Sequence, residues 1–510
     1  CAVTVSAPVG PSRSCSGVVL SRGPGLVLTR AAIFAPFLRE GPAAWARPRT
    51  LPPAALRSCP RVHVLHPPAP CDPPGPGSDP PGPARRLEAR LLGLVPCGAF
   101  RRALAQTFGP GEPWRFGAGR EDDEEDAEAT EEARRSLHWF AWLRVPGLDI
   151  PGGGWTGRES AARLCKGQRL LVCGSPFGAL CPDLFLNTLS QGVLSNAAGE
   201  DNALLLTDAR CLPGTEGGGA FVPAGPRLVA VIAASFCWKG VEWVGLTLLC
   251  SLAAVLRSSA RALAEAGIPL PAEPARVAAV EAASGWDTLR WAVLVDCGAT
   301  WGSGVLLRPQ LLLTCRHVVE AGVPLRVTPV PGPSRAAAIR GHVVFATEES
   351  SPFDVAVVEL DESVQGFAPP QLANTFLLGE EVHVVGFGVL GRACGPSVTA
   401  GILSAVVSVA GHPIMLQTTC AVHGGSSGGP LISSRSGCLM GIVASNIRDT
   451  SAGATYPHLN FCIPITVLQP LVTQYCRTSN PNAFAALNRA GEWVQAVWRL
   501  QRQPGPPSKL

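Results

Sequence analysis

The sequence GSSGGPL, from Gly425 to Leu431, places a serine, Ser427, directly before two glycines and a proline. When a serine attacks a carbonyl group, backbone N–H groups must converge on the oxygen that becomes negatively charged. The tight turn that brings these groups together is resisted by residues with a Cβ atom. The sequence therefore predicts an oxyanion hole formed by the N–H groups of Gly425 and Ser427. On this motif alone, an ordinary glycine-rich turn remains the alternative.

Two other polar residues have the positions needed to activate this serine, whose hydroxyl is a weak nucleophile near neutral pH. His317, in LLLTCRHVV, follows an apolar strand, and Asp354, in SPFDVAVVEL, precedes another. A carboxylate beside an apolar strand is costly unless a donor such as an imidazole N–H lies nearby. Taken singly, the histidine could be structural and the aspartate a turn residue. Together with Ser427 they predict a catalytic triad.

The order of His317, Asp354 and Ser427 in a β-rich chain resembles the chymotrypsin-like serine protease family. TCRHVV resembles the family's segment around the base, DVAVVEL the segment around the acid, and GSSGGPL the segment around the nucleophile. The resemblance implies a serine endopeptidase with an acyl-enzyme mechanism and an all-β fold of two packed barrels. Ser426 departs from the family pattern, in which an aspartate binds a newly freed N-terminus, so activity without zymogen activation is implied.

The layout of the same family also implies where the substrate binds. Ala421 and His423 are expected at the primary pocket, and Ala444, Ser445 and Asn446 along the substrate backbone. Because no aspartate stands at the pocket base, a small or polar side chain is expected there rather than Lys or Arg. His423 could equally contact the substrate or cap the loop.

Four ordered blocks of the first half recur in the second, which predicts a duplicated fold. The blocks are SGVVLSRGPGLVLTRAAIF from Ser16 and SGVLLRPQLLLTCRHVV from Ser303, LLVCGSPFG and VHVVGFGVLG, QGVLS and AGILS, and CLPGTEGGGAFV and CAVHGGSSGGPLI. We predict a duplicated chymotrypsin-like double β-barrel. Residues 1–256 form a degenerate copy, 257–285 a linker, 286–475 the catalytic copy, and 476–510 a C-terminal tail.

The first copy has lost its catalytic residues in this alignment. Ala32 stands where the second copy has His317, Trp139 stands near the place of Asp354, and Gly217 stands at the place of Ser427. We therefore predict a pseudo-protease with a structural, regulatory or substrate-binding role. Two insertions in this copy, a proline- and glycine-rich tract at 67–83 and an acidic run at 121–132, are predicted to be solvated loops or disordered segments. A binding role for the acidic run is the alternative.

Composition limits the classes of function. The chain has 510 residues, a net charge of only +4 and 46% hydrophobic residues, which argues against nucleic-acid binding and global disorder. Its 56 glycines and 49 prolines against 2 tyrosines and 2 methionines favour a β-rich fold with many turns. The 18 cysteines form no C-x-x-C pair, so we expect reduced buried thiols, no metal and no cofactor. The longest uncharged apolar stretch is too short to span a membrane.

The last three residues, Ser508, Lys509 and Leu510, match the peroxisomal import signal, which is read by an import receptor. With this tripeptide, the chain resembles the family of peroxisomal leader-processing proteases. The resemblance implies removal of N-terminal leader peptides from imported matrix precursor proteins, cleavage after cysteine, processing of some β-oxidation enzymes, and self-cleavage. A quality-control protease and a non-catalytic scaffold remain the alternatives. Whether the chain forms a homo-oligomer is left open.

Overall fold

The structure is a computed structural model of the chain. It describes all residues except 8–11, 48, 58–59, 68–83, 110–112, 118–130, 149–152, 179, 182–183, 241, 272–286, 299, 331–337, 450–453 and 500–510. The chain divides into two compact units. Unit 1 comprises Cys1–Gly240 and Leu246–Ala278, and unit 2 comprises Val241–Gly245 and Ala279–Leu510. The proline-rich tract from residue 68, most of the acidic run, the second half of the predicted linker and the terminal tripeptide lie outside the described residues.

Unit 1 is built on two closed six-stranded barrels. The strands of the first 251 residues are β1 Ala2–Ser6, β2 Arg13–Ser21, β3 Leu26–Arg30, β4 Arg61–His66, β5 Arg85–Pro96, β6 Trp114–Phe116, β7 Trp139–Arg144, β8 Arg169–Gly174, β9 Thr188–Ala198, β10 Leu204–Thr207, β11 Gly219–Val222, β12 Arg227–Ala234, β13 Cys237–Lys239, β14 Glu242–Trp243 and β15 Thr247–Ser251. The barrels have the orders β1-β2-β3-β7-β5-β4 and β8-β9-β10-β15-β12-β11. Strand β14 belongs to unit 2, and β6 pairs with β13.

Unit 2 repeats this architecture with two more closed six-stranded barrels. Its strands are β16 Ala292–Asp296, β17 Trp301–Arg308, β18 Leu311–Thr314, β19 Leu325–Pro329, β20 Ile339–Ala346, β21 Ala356–Leu360, β22 Glu381–Gly386, β23 Ser397–Val409, β24 His412–Thr418, β25 Pro430–Ser433, β26 Leu439–Asp449 and β27 Ala454–Pro464. The orders β16-β17-β18-β21-β20-β19 and β22-β23-β24-β27-β26-β25 match those of unit 1 strand for strand. The predicted duplicated, all-β, chymotrypsin-like fold is confirmed.

Helices close the barrels and connect their strands. The α-helices are α1 Gly98–Thr107, α2 Leu252–Glu265, α3 Gly391–Cys394, α4 Ile465–Thr478 and α5 Glu492–Trp498. The 3-10 helices are Ala31–Phe37, Gly41–Ala46, Pro53–Ala55, Pro146–Leu148, Ala161–Arg163, Glu200–Asn202, Asp287–Trp291, Arg316–Val318 and Pro481–Arg489. Helices α2 and α4 each follow the last barrel strand of their copy. Within the described residues, no helix has the length and apolar character that crossing a bilayer requires.

Each barrel is filled by the apolar side chains that its strands turn inward. In β3 and β18, whose sequences are LVLTR and LLLT, every residue is buried, which explains why these segments read as continuous apolar runs. No disulfide joins the cysteines of the described part of the chain, and most of these cysteines are buried or half-buried. The thiols therefore serve as small apolar core residues.

The C-terminal part of unit 2 differs from the expected tail. Helix α4 runs through residue 475, where the catalytic copy was predicted to end. Beyond it, Phe484, Leu487 and Trp498 are buried in the same hydrophobic core as the strands of the second barrel. The folded part of unit 2 thus extends at least to α5, because these side chains remove apolar surface from water that a free tail would expose.

Candidate active site

His317 and Asp354 are joined by direct hydrogen bonds. The imidazole Nδ1–H donates to Oδ2 of Asp354, and the backbone N–H of His317 donates to Oδ1 at 3.1 Å. His317 lies in the short 3-10 helix after β18, and Asp354 lies two residues before β21. These strands are paired so that Thr314 faces Ala356. Strand pairing therefore brings the predicted base and the predicted acid together.

The negative charge of Asp354 is stabilised by its neighbours. Burial by itself raises the pKa of this carboxyl group, but the hydrogen bonds from His317 and the positive charge of Arg316 outweigh burial and hold the pKa below its ordinary value. The Arg316 Nε lies 3.8 Å from Oδ1. An ionised carboxylate keeps the proton on Nδ1 and leaves Nε2 of the imidazole as the nitrogen that can accept a proton.

The segment that carries Asp354 is anchored by residues near the C-terminus of the described chain. The Ser351 hydroxyl donates to the Leu487 carbonyl at 2.9 Å and accepts the Phe353 N–H at 3.1 Å. The Phe353 ring meets the Trp498 ring edge-on, with 5.9 Å between ring centres. Residues beyond α4 therefore help to fix the position of the acid.

Residues 423–428 are called here the oxyanion loop. From Gly425 to Gly428, backbone N–H groups that donate within the protein alternate with groups that do not. Those of Ser426 and Gly428 donate to the carbonyls of His423 and Val443, at 3.0 and 2.7 Å. Those of Gly425 and Ser427 donate to no acceptor among the residues that the structure describes. Two donors on neighbouring turns of the backbone are thus available to an oxygen of a ligand, as stabilisation of an oxyanion requires.

Two glycines of this loop have backbone conformations that other residues rarely adopt. Gly425 has a φ of +88°, and a Cβ there would lie 2.5 Å from the Trp301 ring. Gly428 has a φ of +84°, and its Cβ would lie 2.1 Å from the carbonyl oxygen of Ser303. The absence of a Cβ atom at these glycines therefore allows the loop to turn tightly and also to pack closely against β17.

Backbone and hydroxyl contacts tie the oxyanion loop to the strand that precedes His317. The Ser303 N–H donates to the Ser427 carbonyl at 2.9 Å. The Ser303 carbonyl in turn accepts the hydroxyl of Thr314 at 2.7 Å, three residues before His317. The nucleophile candidate and the base candidate thus flank one pair of bonded strands, β17 and β18.

Cys315, His317 and Asp354 lie close enough together to be considered as ligands for a cation. Burial raises the pKa of the Cys315 thiol well above its ordinary value, and its Sγ–H donates to the Val443 carbonyl at 3.2 Å. A metal would need the thiolate, and the Nδ1 of His317 already carries the proton shared with Asp354. These donors fit a proton-transfer pair better than a metal site.

The predicted pocket residues occupy different environments. Ala421 and Ala444 are buried, whereas Ser445 and Asn446, which lie on β26, are partly exposed. The Nδ1 of His423 accepts the Val389 N–H at 3.2 Å, and the side chain is buried. Of the two roles considered for His423, this arrangement favours loop capping. The contacts of these residues with a substrate remain predictions.

In unit 1, strand register places other residue types at the positions of the dyad. Strands β3 and β7 pair Thr29 with Ala141, as β18 and β21 pair Thr314 with Ala356. Counting from these pairs, Trp139 corresponds to Asp354 and Ala32 to His317. Both predicted replacements are confirmed, and neither side chain can transfer a proton.

The predicted match of Gly217 with Ser427 is wrong by one residue. In unit 1 the Ser16 N–H donates to the Glu216 carbonyl at 2.9 Å, as the Ser303 N–H donates to the Ser427 carbonyl. Glu216 therefore stands where unit 2 has its serine, and Gly217 corresponds to the following glycine. The error arose because two glycine-rich segments can be aligned in more than one register by sequence alone, whereas the backbone hydrogen bond fixes the register.

The Glu216 side chain accepts hydrogen bonds from its own loop and from Ser235. Its Oε2 accepts the Gly214 N–H at 2.8 Å, and its Oε1 accepts both the backbone N–H of Ser235, at 3.2 Å, and the Ser235 hydroxyl. Gly214 is the counterpart of Gly425, because a serine hydroxyl donates to each carbonyl at 2.7 Å. The Glu216 carboxylate thus accepts a hydrogen bond from the Gly214 N–H, whereas the corresponding N–H of Gly425 in unit 2 has no acceptor among the described residues.

A buried arginine also takes up space in the degenerate copy. Arg30, the counterpart of Cys315, donates to the carbonyls of Ser136 and Trp139, each at 3.1 Å, and to that of Leu137. Burial lowers the pKa of Arg30 to about 10, and the negative charge of Glu216 opposes this shift. In unit 1, charged residues therefore stand at the positions of Ser427 and Cys315.

Ser303 is the main residue of this site that the sequence reasoning missed. Its hydroxyl donates to the Gly425 carbonyl and accepts the Phe387 N–H, each at 2.7 Å. A signal was present in the sequence, because the first repeated block begins with the same serine in both copies, at Ser16 and Ser303. A buried serine retained at one strand position indicates a hydrogen-bonding task.

Comparison with known proteins places these features in context. Residues 302–442 match the trypsin-like peptidase domain family. The chain is 49% identical over 549 residues to the peroxisomal leader peptide-processing protease of Mus musculus, covering 99% of this chain and 95% of the relative. It is 49% identical over 545 residues to the Homo sapiens protein of that name, covering 98% and 94%. The serine protease Do-like HtrB of Bacillus subtilis is 31% identical over 185 residues, or 34% of this chain and 38% of the relative.

Proposed function

Because this chain belongs to the peroxisomal leader peptide-processing protease family and is a trypsin-like serine endopeptidase, we propose that it removes leader peptides from imported proteins in the peroxisome matrix. The observation that carries the proposal is the bonded pair of His317 and Asp354 next to the oxyanion loop that contains Ser427. The names of the relatives support the leader-peptide substrate and the peroxisomal location. Ser508, Lys509 and Leu510 are proposed as the signal for the import receptor.

In the proposed mechanism, the Ser427 Oγ attacks the carbonyl carbon of the substrate while Nε2 of His317 takes the hydroxyl proton. Asp354 keeps the imidazole oriented and stabilises the imidazolium that forms. The N–H groups of Gly425 and Ser427 stabilise the negative oxygen of the tetrahedral intermediate. His317 then returns the proton to the leaving amine, which leaves an acyl-enzyme. A water molecule, deprotonated by His317, hydrolyses the ester and restores the Ser427 hydroxyl.

The substrates proposed are precursors of matrix enzymes, including some enzymes of β-oxidation, and the chain itself at self-cleavage sites. The pocket around Ala421 carries no acidic residue at the position where a trypsin-type pocket would, so cleavage after a small or polar residue is proposed. Cleavage after cysteine in particular is what the resemblance to the family implies. No cofactor is required by this chemistry. The degenerate copy is proposed to have a non-catalytic role.

General quality control is the second candidate, because a Do-like bacterial protease matches about a third of the chain. The two functions differ in the form of their products. A processing enzyme yields one discrete, shorter precursor, whereas a quality-control enzyme degrades unfolded proteins to many peptides.

The test incubates the full chain with a leader-bearing matrix precursor and, separately, with unfolded casein. We expect discrete removal of the leader, slow attack on casein, and complete loss of both activities in Ser427→Ala, because the mechanism depends on that hydroxyl. Ser434→Ala, which removes an exposed hydroxyl in contact with His383, is the matched control and should cleave normally. Cleavage by the Ser427 variant would contradict the mechanism, and extensive casein degradation with an untouched precursor would favour quality control.

A further inference from the structure

We propose that the buried hydroxyl of Ser303 is the positioning group that holds the oxyanion loop of unit 2 in its active conformation. This inference rests on the proposed function, in which the N–H groups of Gly425 and Ser427 bind the oxyanion. Ser303 lies on β17 and contacts no substrate in this role. It acts on the reaction through the backbone of the loop.

The contacts of Ser303 reach both of the residues that supply the proposed donors. Its hydroxyl donates to the Gly425 carbonyl at 2.7 Å, and its backbone N–H donates to the Ser427 carbonyl at 2.9 Å. The same hydroxyl accepts the Phe387 N–H at 2.7 Å, and the Ser303 carbonyl accepts the Thr314 hydroxyl. Ser303 is completely buried, so water cannot replace these bonds.

The loop needs such an anchor because its conformation is demanding. Gly425 has a positive φ, and it fits between the Trp301 ring and the Phe387 carbonyl only because it has no Cβ. Glycine also has the largest conformational freedom to lose, so the loop does not hold this geometry by its own preference. The bond from Ser303 fixes the Gly425 carbonyl and thereby limits rotation of the backbone on which the Gly425 N–H depends.

Two other contacts of the loop can be compared with those of Ser303. The Gly424 N–H donates to Oε1 of Glu242 at 3.0 Å, but this bond is exposed and holds the residue before Gly425. The Ser426 hydroxyl accepts the His423 N–H at 3.5 Å, which is long for a hydrogen bond. Ser426 carries no charge, so it cannot form an ion pair with a chain terminus. The short bond from the Ser303 hydroxyl is thus the contact that holds the Gly425 carbonyl itself.

Unit 1 provides an independent observation. Ser16 makes the same contacts there, with its hydroxyl donating to Gly214 and accepting the Ser175 N–H, at 2.7 and 2.6 Å. Its carbonyl also accepts a threonine hydroxyl, that of Thr29, at 2.6 Å. Unit 1 keeps this set although its base, acid and nucleophile are gone. The set therefore controls loop geometry, and only in unit 2 does that geometry present two donors for catalysis.

The test compares Ser303→Ala with Ser16→Ala, which deletes the same bonds in the copy without catalytic residues. Loss of one oxyanion donor costs an enzyme about 10²–10³ in kcat, so partial misplacement of the loop should lower kcat by about 10- to 100-fold with little change in KM. Reaction of Ser427 with a fluorophosphonate probe should slow in parallel. The Ser16 variant should keep the wild-type kcat and labelling rate, while thermal melting reports the stability lost by each.

Ser303→Cys, which keeps a weaker donor of similar shape, should give an intermediate kcat, and it carries the test if the alanine variant does not fold. A wild-type kcat in the Ser303 variants, or equal losses of kcat in the Ser303 and Ser16 variants, would overturn the inference alone. A wild-type protein that does not react with the fluorophosphonate would instead contradict the proposed function and the inference with it.

Discussion

At the scale of single residues, Asp354 determines which nitrogen of His317 can accept a proton. Asp354→Asn can retain the hydrogen bond but no longer requires a proton on Nδ1, so the wrong tautomer is stabilised. We expect kcat to fall by about 10⁴-fold, the loss that such a change of tautomer causes in a triad. Steady-state cleavage of the precursor measures it. Asp361→Asn, which alters an exposed aspartate 3.6 Å from Nδ1 of His342, is the matched control. A comparable loss in the control would contradict this account.

The same variant tests the stabilising effect of the charged carboxylate. Because the pKa of Asp354 is lower in the folded protein than in the unfolded chain, ionisation stabilises the fold at pH values above the ordinary aspartate pKa of about 3.9. This contribution is lost as the pH falls through the lower, folded-state pKa. The difference in melting temperature between wild type and Asp354→Asn should therefore stay near its neutral-pH value until the pH approaches the ordinary aspartate pKa of about 3.9, and shrink below it. A difference that grows in acid would contradict it.

Glu216 has a structural role in the degenerate copy. In Glu216→Ala, the partly buried Gly214 N–H and the Ser235 groups lose their acceptor, which should cost about 1–3 kcal/mol of unfolding free energy. Denaturant unfolding measures this, and precursor cleavage should be unchanged. Glu200→Ala, which removes an exposed ion pair with Arg102, should cost less than about 1 kcal/mol. Equal losses in the two variants would refute the assigned role.

Glu216 also marks how far residue-level prediction reached. His317 and Asp354 could be found because each adjoins an apolar strand, where a polar residue needs a reason. Ser303 and Glu216 could not be assigned in this way. The role of Ser303 depends on contacts with residues more than eighty positions away in the sequence. The alignment of Glu216 is set by a backbone hydrogen bond, which does not depend on residue type and so cannot be recognised in the sequence.

At the scale of elements, helix α5 supports the loop of the acid. Trp498→Ala should create a cavity against Phe353, next to Asp354, and cost about 3–5 kcal/mol. We expect a lower melting temperature and a reduced kcat. The matched control is Trp493→Ala in the same helix, whose side chain is 78% exposed and whose loss should change neither quantity. Normal melting and kcat in the Trp498 variant would contradict the supporting role.

The elements themselves were predictable to different degrees. The barrel strands carry period-two or continuous apolar patterns, and the helix after each copy could be read from its spacing. The segment beyond residue 475 was expected to be a tail because it follows the last repeated unit and ends in a proline-rich stretch before the terminal tripeptide. Its few apolar side chains become informative only once the groove that receives Phe484, Leu487 and Trp498 is known.

At the scale of the whole molecule, internal duplication was the most useful information in the sequence. It predicted four barrels from one family pattern, and the matching strand orders of the two units agree with it. The cysteines were likewise predicted correctly from the sequence to be mostly buried, reduced thiols. Burial raises the pKa of Cys15 and Cys211 to about 11, so these thiols stay protonated and pack as apolar groups. Neither observation required knowledge of how the units are arranged.

The Glu216 carboxylate has a consequence for the history of the chain. A duplicated enzyme that has merely lost its nucleophile can regain it by one substitution. Here a serine at 216 would leave Arg30 without its nearby negative charge and would still face Trp139 and Ala32 instead of an acid and a base. A single substitution back to a catalytic residue is therefore expected to destabilise unit 1 without restoring its catalytic activity. Recovery of a catalytic triad in unit 1 would require changes at positions 32, 139 and 216 together, so the loss is difficult to reverse one substitution at a time.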